Sequence, residues 1–182
     1  MNKTKRMSKA LSVAAIATFT FFAIASSDDK KSPSSSGGNS SEQSVATSVG
    51  IGQTLQTEYF SVTVNKVSIN DRVNTGNEFA DLKAEQGNKY LIINATFKNT
   101  DQESRMIVDG SVWINYNGKD YEFDKSETVM LEGWGTMLDQ INPLTSKTTN
   151  LVYKIPAEIT GTALWNPGRS DKDQVINLGV IK

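Results

Sequence analysis

Residues 111–123, SVWINYNGKDYEF, restrict the possible folds more than any other stretch of this chain. Two runs that alternate apolar and polar residues flank Asn117-Gly118, the pair that best accepts the left-handed backbone angles of a type I′ hairpin turn. A helix would put Val112 and Ile114 on opposite sides; a strand puts them on one face. The same period of two recurs in YFSVTVNKVSI, where Phe60, Val62 and Val64 share a face. Val67 and Ile69 fall on the other parity, so a bulge near Asn65-Lys66 is expected to return them to it. In NKYLIINATFKN, Leu91, Ile93, Ala95 and Phe97 point one way, and Tyr90, Ile92, Asn94 and Thr96 the other. Further strands are expected over residues 127–131, in TNLVYKIP ending at Pro156, in TALW before Asn166-Pro167-Gly168, and in QVINLGVI. About seven to nine short strands separated by turn signals predict an all-β antiparallel sandwich. Its core is expected to combine the Phe60 and Phe97 faces with Val112, Ile114, Leu151, Tyr153 and Ile155. Residues 79–86, FADLKAEQ, read as a short helix within a long loop over 70–88.

The N-terminus has a different logic. Lys3, Lys5, Arg6 and Lys9 precede an uncharged, largely apolar run over residues 10–25 that ends in Ala23-Ile24-Ala25. That run is shorter than the ~20 residues needed to span a bilayer, which disfavours an anchor. A basic start, an apolar middle and an A-x-A end are the three parts of a secretory signal peptide, with cleavage expected between Ala25 and Ser26. Ile24-Ala25-Ser26 also resembles the approach to the lipidated cysteine of a bacterial lipoprotein, but the position holds Ser27, whose hydroxyl cannot replace a thiolate in thioether formation. Membrane association is therefore expected only through an uncleaved or lipidated N-terminus. Residues 26–48, rich in Ser and Gly, lack apolar periodicity and read as a disordered tether spanning roughly 25 Å as a random coil. The folded domain is expected over 49–182.

The chain contains no Cys and no His. Disulfides, thiolate nucleophiles, Cys/His zinc sites and Ser-His-Asp triads are thereby excluded. Removal of residues 1–25 leaves 15 basic against 20 acidic residues, a net charge of −5. That balance, without a basic stripe, argues against nucleic acid as a partner.

IGQTLQTEYFSVTVNKVS, GNKYLIINATFKNTDQES and INPLTSKTTNLVYKIP, in that order, resemble three landmarks of a bacterial domain-of-unknown-function family. The family is common among exported lipoproteins and often mis-titled after telomeric repeat-binding factors. The resemblance covers residues 49–182. It implies an immunoglobulin-like β-sandwich, tethered or secreted, and brings no catalytic residues with it.

Candidate chemistry is sparse. The acidic pairs Asp101/Glu103 and Asp171/Asp173 have a spacing that can begin a calcium site, but calcium takes six to eight oxygens and no EF-hand loop is present; solvated loop charge is the simpler reading. Trp134, in EGWGT, lies between two glycines and is either a plug folded over the sandwich end or a displayed contact. Trp113 is expected to be half-exposed and Trp165 to sit at the core edge. The Asn94-Ala95-Thr96 sequon falls within a strand and carries little weight in a bacterial protein. The expectation is an exported, monomeric, non-catalytic binding or interaction module without cofactor or metal. Its partner would be an envelope or extracellular protein or glycan, met in the periplasm, at the cell surface or outside the cell. Contact is expected at the end carrying the 70–88 loop and the 132–136 turn. An envelope hydrolase whose carboxylates converge only in the fold, and a purely structural spacer, are the alternatives.

Overall fold

The computed structural model describes residues 47–136 and 140–182. The expected signal peptide with Ala25 and Ser26, Ser27, and all of the tether up to residue 46 lie outside the described residues. Strands begin with β1 (Thr47–Gly50), β2 (Thr54–Gln56), β3 (Phe60–Asn70), β4 (Arg72–Val73) and β5 (Leu82–Lys83). They continue with β6 (Asn88–Asn99), β7 (Arg105–Met106), β8 (Ser111–Tyr116) and β9 (Lys119–Phe123). The series ends with β10 (Gln140–Ile141), β11 (Ser146–Pro156), β12 (Gly161–Asn166) and β13 (Gln174–Ile181).

Two sheets form the sandwich. One runs β1-β13-β12-β8-β9 and the other β11-β6-β3-β2, so nine strands build the two layers. β4 pairs with β5, and β10 with β7, as two small ribbons. Pairing within the large sheets is antiparallel except at one edge, where β1 lies parallel to β13. The expected architecture is therefore correct in class, with one parallel pair that the strand pattern does not reveal. β1 begins at Thr47, two residues ahead of the expected start of the domain.

Each alternating run contributes one face to the interior. Phe60, Val62, Val64, Leu91, Ile93, Ala95, Phe97, Val112, Ile114, Leu151, Tyr153 and Ile155 are all buried in one contiguous cluster, with Val67 and Ile69 partly buried against it. Asn117 and Gly118 both have positive φ, 53° and 75°, as a type I′ turn between β8 and β9 requires. The bulge in β3 is where parity demanded it: the register against β6 slips between Val64 and Lys66, so Val67 faces Ile93 and Ile69 faces Leu91.

Three local expectations are overturned. Residues 79–86 form no helix; Leu82–Lys83 is β5, paired with Arg72–Val73. Side-chain capture decides this: Asp81 accepts hydrogen bonds from the Thr75 amide (2.7 Å) and hydroxyl (2.9 Å), and these pin a hairpin. Residues 127–131 are not a strand. Beside them only Ser126 bridges to Tyr153, and the chain then turns, with the Leu131 amide on the Val129 carbonyl. Trp165 is not at the core edge but fully buried. It pairs with Val112 facing inward, meets Phe97 edge-on at 6.1 Å, and donates its indole N–H to the Asp109 carbonyl at 3.0 Å. That hydrogen bond satisfies the polar atom that otherwise keeps a Trp near the surface.

Candidate functional site

The bulge in β3 has a consequence on the outside of the four-stranded sheet. Because Val67 and Ile69 return to the core, Lys66, Ser68 and Asn70 point outward, opposite Asn94, Ile92 and Tyr90 of β6. On the far side of β6, Asn150 and Val152 of β11 complete the row, paired with Asn94 and Ile92. Part of this face is dry: Val73, Tyr90, Ile92, Val129 and Val152 form a second buried cluster, with Leu82 and Leu131 packed on it. The remainder is polar.

Trp134 stands where the two parts meet. Its segment bridges to Asn150 of β11, with the Asn150 amide on the Gly133 carbonyl at 2.9 Å and the Gly135 amide on the Asn150 carbonyl at 2.8 Å. Gly133 and Gly135 have φ of +81° and +68°, so both glycines supply left-handed turns that a side chain would strain. The Thr149 hydroxyl ties down the second turn by donating to the Gly135 carbonyl at 2.7 Å. The indole is half-buried: it packs on the second cluster and also lines the groove beside it. Trp134 is thus both plug and wall.

The groove occupies about 280 Å³. Ile92, Asn94 and Asn150 line it from the sheet, Lys66, Ser68 and Asn70 from β3, and Arg72 and Asn74 from the hairpin arm. The 70–88 and 132–136 segments therefore do contribute to one concavity. No Asp or Glu is among its lining residues. Arg72 is steadied by Asp81 at 3.2 Å. The Asp81 carboxyl is held below the usual carboxylate range by the Thr75 amide foremost, with the Thr75 hydroxyl and Arg72 adding to the effect.

An amide ladder crosses this face. Asn65, the bulged residue, donates through Nδ2 to the Asn94 side-chain oxygen at 2.9 Å. Asn94 donates to the Asn150 side-chain oxygen at 2.8 Å, and Asn150 donates to the Gly133 carbonyl at 3.0 Å. All three amides therefore point the same way and are fixed before any ligand arrives. Each carboxamide has two N–H donors and two acceptor lone pairs, so the ladder leaves further capacity on every member.

Other singled-out residues lie elsewhere. Asp101 and Glu103 both pair with Arg105, the latter at 3.2 Å, and Arg105 stacks 4.3 Å from the Tyr59 ring centre. The hydrogen bond from Arg105 is the main cause holding the Asp101 carboxyl below its ordinary value. Asp171 caps its own turn, its amide on the Gln174 side chain at 3.0 Å and its carbonyl accepting from Asn166. Among the described residues no three His, Cys, Asp or Glu side chains cluster as a metal site would require. Trp113 is 37% exposed on the outer face of the five-stranded sheet. There it lines a separate groove with Leu164 and Val175, away from Trp134.

Sequence reasoning found Trp134 and the two loop segments but not Lys66, Asn94 or Asn150. Parity turns each of them outward on its own strand, Lys66 once a bulge is placed at Asn65, but the strand order and register that set the three side by side come only from the fold.

Fold and groove together define a small all-β sandwich with a walled polar depression on one face. The chain belongs to the family described as a domain of unknown function, DUF4352, whose pattern matches residues 49–168. Among solved structures it is similar to an uncharacterized β-sandwich protein from Clostridium difficile 630, with 18% identity and a TM-score of 0.53, covering 72% of this chain and 93% of that one. It is also similar to the yjhA protein from Bacillus subtilis, at 21% identity, TM-score 0.46 and coverage of 71% and 98%. A conserved hypothetical protein from Bacillus anthracis matches at 22% identity, TM-score 0.47 and coverage of 74% and 95%. No curated protein matches the chain. The similarity to the clostridial protein establishes the β-sandwich fold.

Proposed function

We propose that this chain is an exported binding module of the cell envelope, without catalytic activity, whose contact surface is the groove beside Trp134. The observation that carries the reading is the combination of a half-buried Trp, a pre-fixed amide ladder and two cationic side chains around one depression. A site that is ordered in advance loses little conformational entropy when a ligand arrives. The export half of the reading rests on Lys3 to Lys9, the apolar run and Ala23-Ile24-Ala25, and places the domain in the periplasm, at the surface or outside the cell. For the non-catalytic half, the groove has no Asp or Glu in its lining, and among the described residues the two carboxylates with displaced pKa values, Asp81 and Asp101, are both shifted down beside arginines, which disfavours each as a general acid. A general acid needs the opposite shift.

The test is Trp134→Ala. Retention of envelope material on immobilised protein and the urea unfolding midpoint are measured together. The expected result is a folded variant, less stable by under about 3 kcal/mol because the ring is only partly buried, that retains little or no material. Retention unchanged among folded molecules would make Trp134 a plug alone and overturn the reading.

A further inference from the structure

We infer that the groove takes an acidic glycan, a chain of pyranose rings bearing carboxylate groups; this rests on the groove being a binding site. Charge is the first argument. The chain carries 20 acidic and 19 basic residues, yet Lys66 and Arg72 line the groove and no carboxylate does. Asp81 contacts Arg72 through Nη2, and a guanidinium has five N–H donors, so the pair orients Arg72 without exhausting it. Carboxylate recognition by cations of this kind is charge-assisted and roughly twice as strong as a neutral hydrogen bond.

The second argument is the match in polarity. A sugar hydroxyl both donates and accepts, and so does each carboxamide of Asn94 and Asn150, which the ladder holds in one orientation. A simple anion needs donors only, and would leave the second lone pair of the Asn94 and Asn150 side-chain oxygens, each already accepting one ladder hydrogen bond, without a ligand donor. The third argument is Trp134. The face of an indole carries the negative end of the ring quadrupole, and the C–H groups of a pyranose present a weakly positive, apolar surface to it. The volume of about 280 Å³ lies just below the small-molecule range, ~300–1,000 Å³, so the groove would hold only a short stretch of a longer chain. Double-stranded nucleic acid would require an extended positive surface, and two cations do not make one.

The test uses calorimetric titration of the purified protein with penta-galacturonate and with the same oligomer fully methyl-esterified. The ester keeps every ring and removes the charge. The acid form is expected to bind and the ester to bind at least about tenfold more weakly. Lys66 is exposed, so Lys66→Ala keeps the fold; it should weaken the acid about tenfold and leave the ester unchanged. Equal binding of acid and ester, no binding of either, or stronger binding of poly(glycerol phosphate) than of the uronate would overturn the assignment. The two levels separate cleanly. If envelope material is retained by the native protein and lost with Trp134→Ala while the uronate fails, the groove stands and the acidic glycan falls. If Trp134→Ala retains it fully, the groove itself falls.

Discussion

Phe97 occupies the centre of the sandwich, edge-on to Phe60 on one side and to Trp165 on the other, each with ring centres 6.1 Å apart. Two T-shaped contacts share this ring, so its removal opens a cavity and forfeits both. Ile92 also lies on β6 but faces outward, 8% exposed, under Trp134 and the hairpin. Phe97→Ala should cost about 3–5 kcal/mol and Ile92→Ala should fall near the bottom of the range of ~2–5. Urea unfolding of both variants checks it, and a larger loss at Ile92 would show the outer cluster to be the principal one. At this scale the sequence was informative wherever alternation was unbroken. It was not for Trp165, because depth is set by what covers a residue. There the register between β12 and β13 skips between Ala163 and Leu164, and Asp109 and Tyr153 arrive from distant segments to satisfy the indole N–H.

The hairpin formed by β4 and β5 depends on Asp81 more than on its two-residue strands. That is why a strand pattern could not reveal it: residues 79–86 resemble a helix until Asp81 is captured by Thr75. The bulge in β3 is the converse case, since a slip in parity is written directly into the residue order. Asp81 also gives this hairpin a pH dependence. Its folded pKa is depressed, so the stabilisation is fully present above the unfolded value of ~3.9 and fades as pH falls through the folded value. Asp81→Asn should therefore be less stable than the native chain at pH 7, with the gap narrowing steadily below about pH 4. Urea unfolding at several pH values measures it; a gap that stays constant would mean that the carboxylate charge contributes nothing.

For the whole molecule, the alternation in the sequence made the two layers legible, while which strands lie at the sheet edges emerged only from the fold. The export reading predicts a mature chain that begins at Ser26 and carries no acyl group, because Ser27 offers no thiolate. Intact mass of protein from the envelope fraction decides it. A mass that includes residues 1–25, or one raised by a diacylglycerol, would reject it. Ser27→Cys is expected to move the protein to the membrane.

β1, the first described strand, runs parallel to β13 at the rim of the five-stranded sheet, in register from Thr47–Gln174 to Gly50–Asn177. Any pull transmitted through the preceding residues reaches β1 first and acts along its length. In that direction the paired positions resist together, in shear, instead of parting one after another as a peeled strand does. The remaining sheet order, β13-β12-β8-β9, does not depend on β1. Loaded this way, the four β1–β13 pairs would have to break together, so the first described strand is fastened to the last by its strongest mechanical geometry.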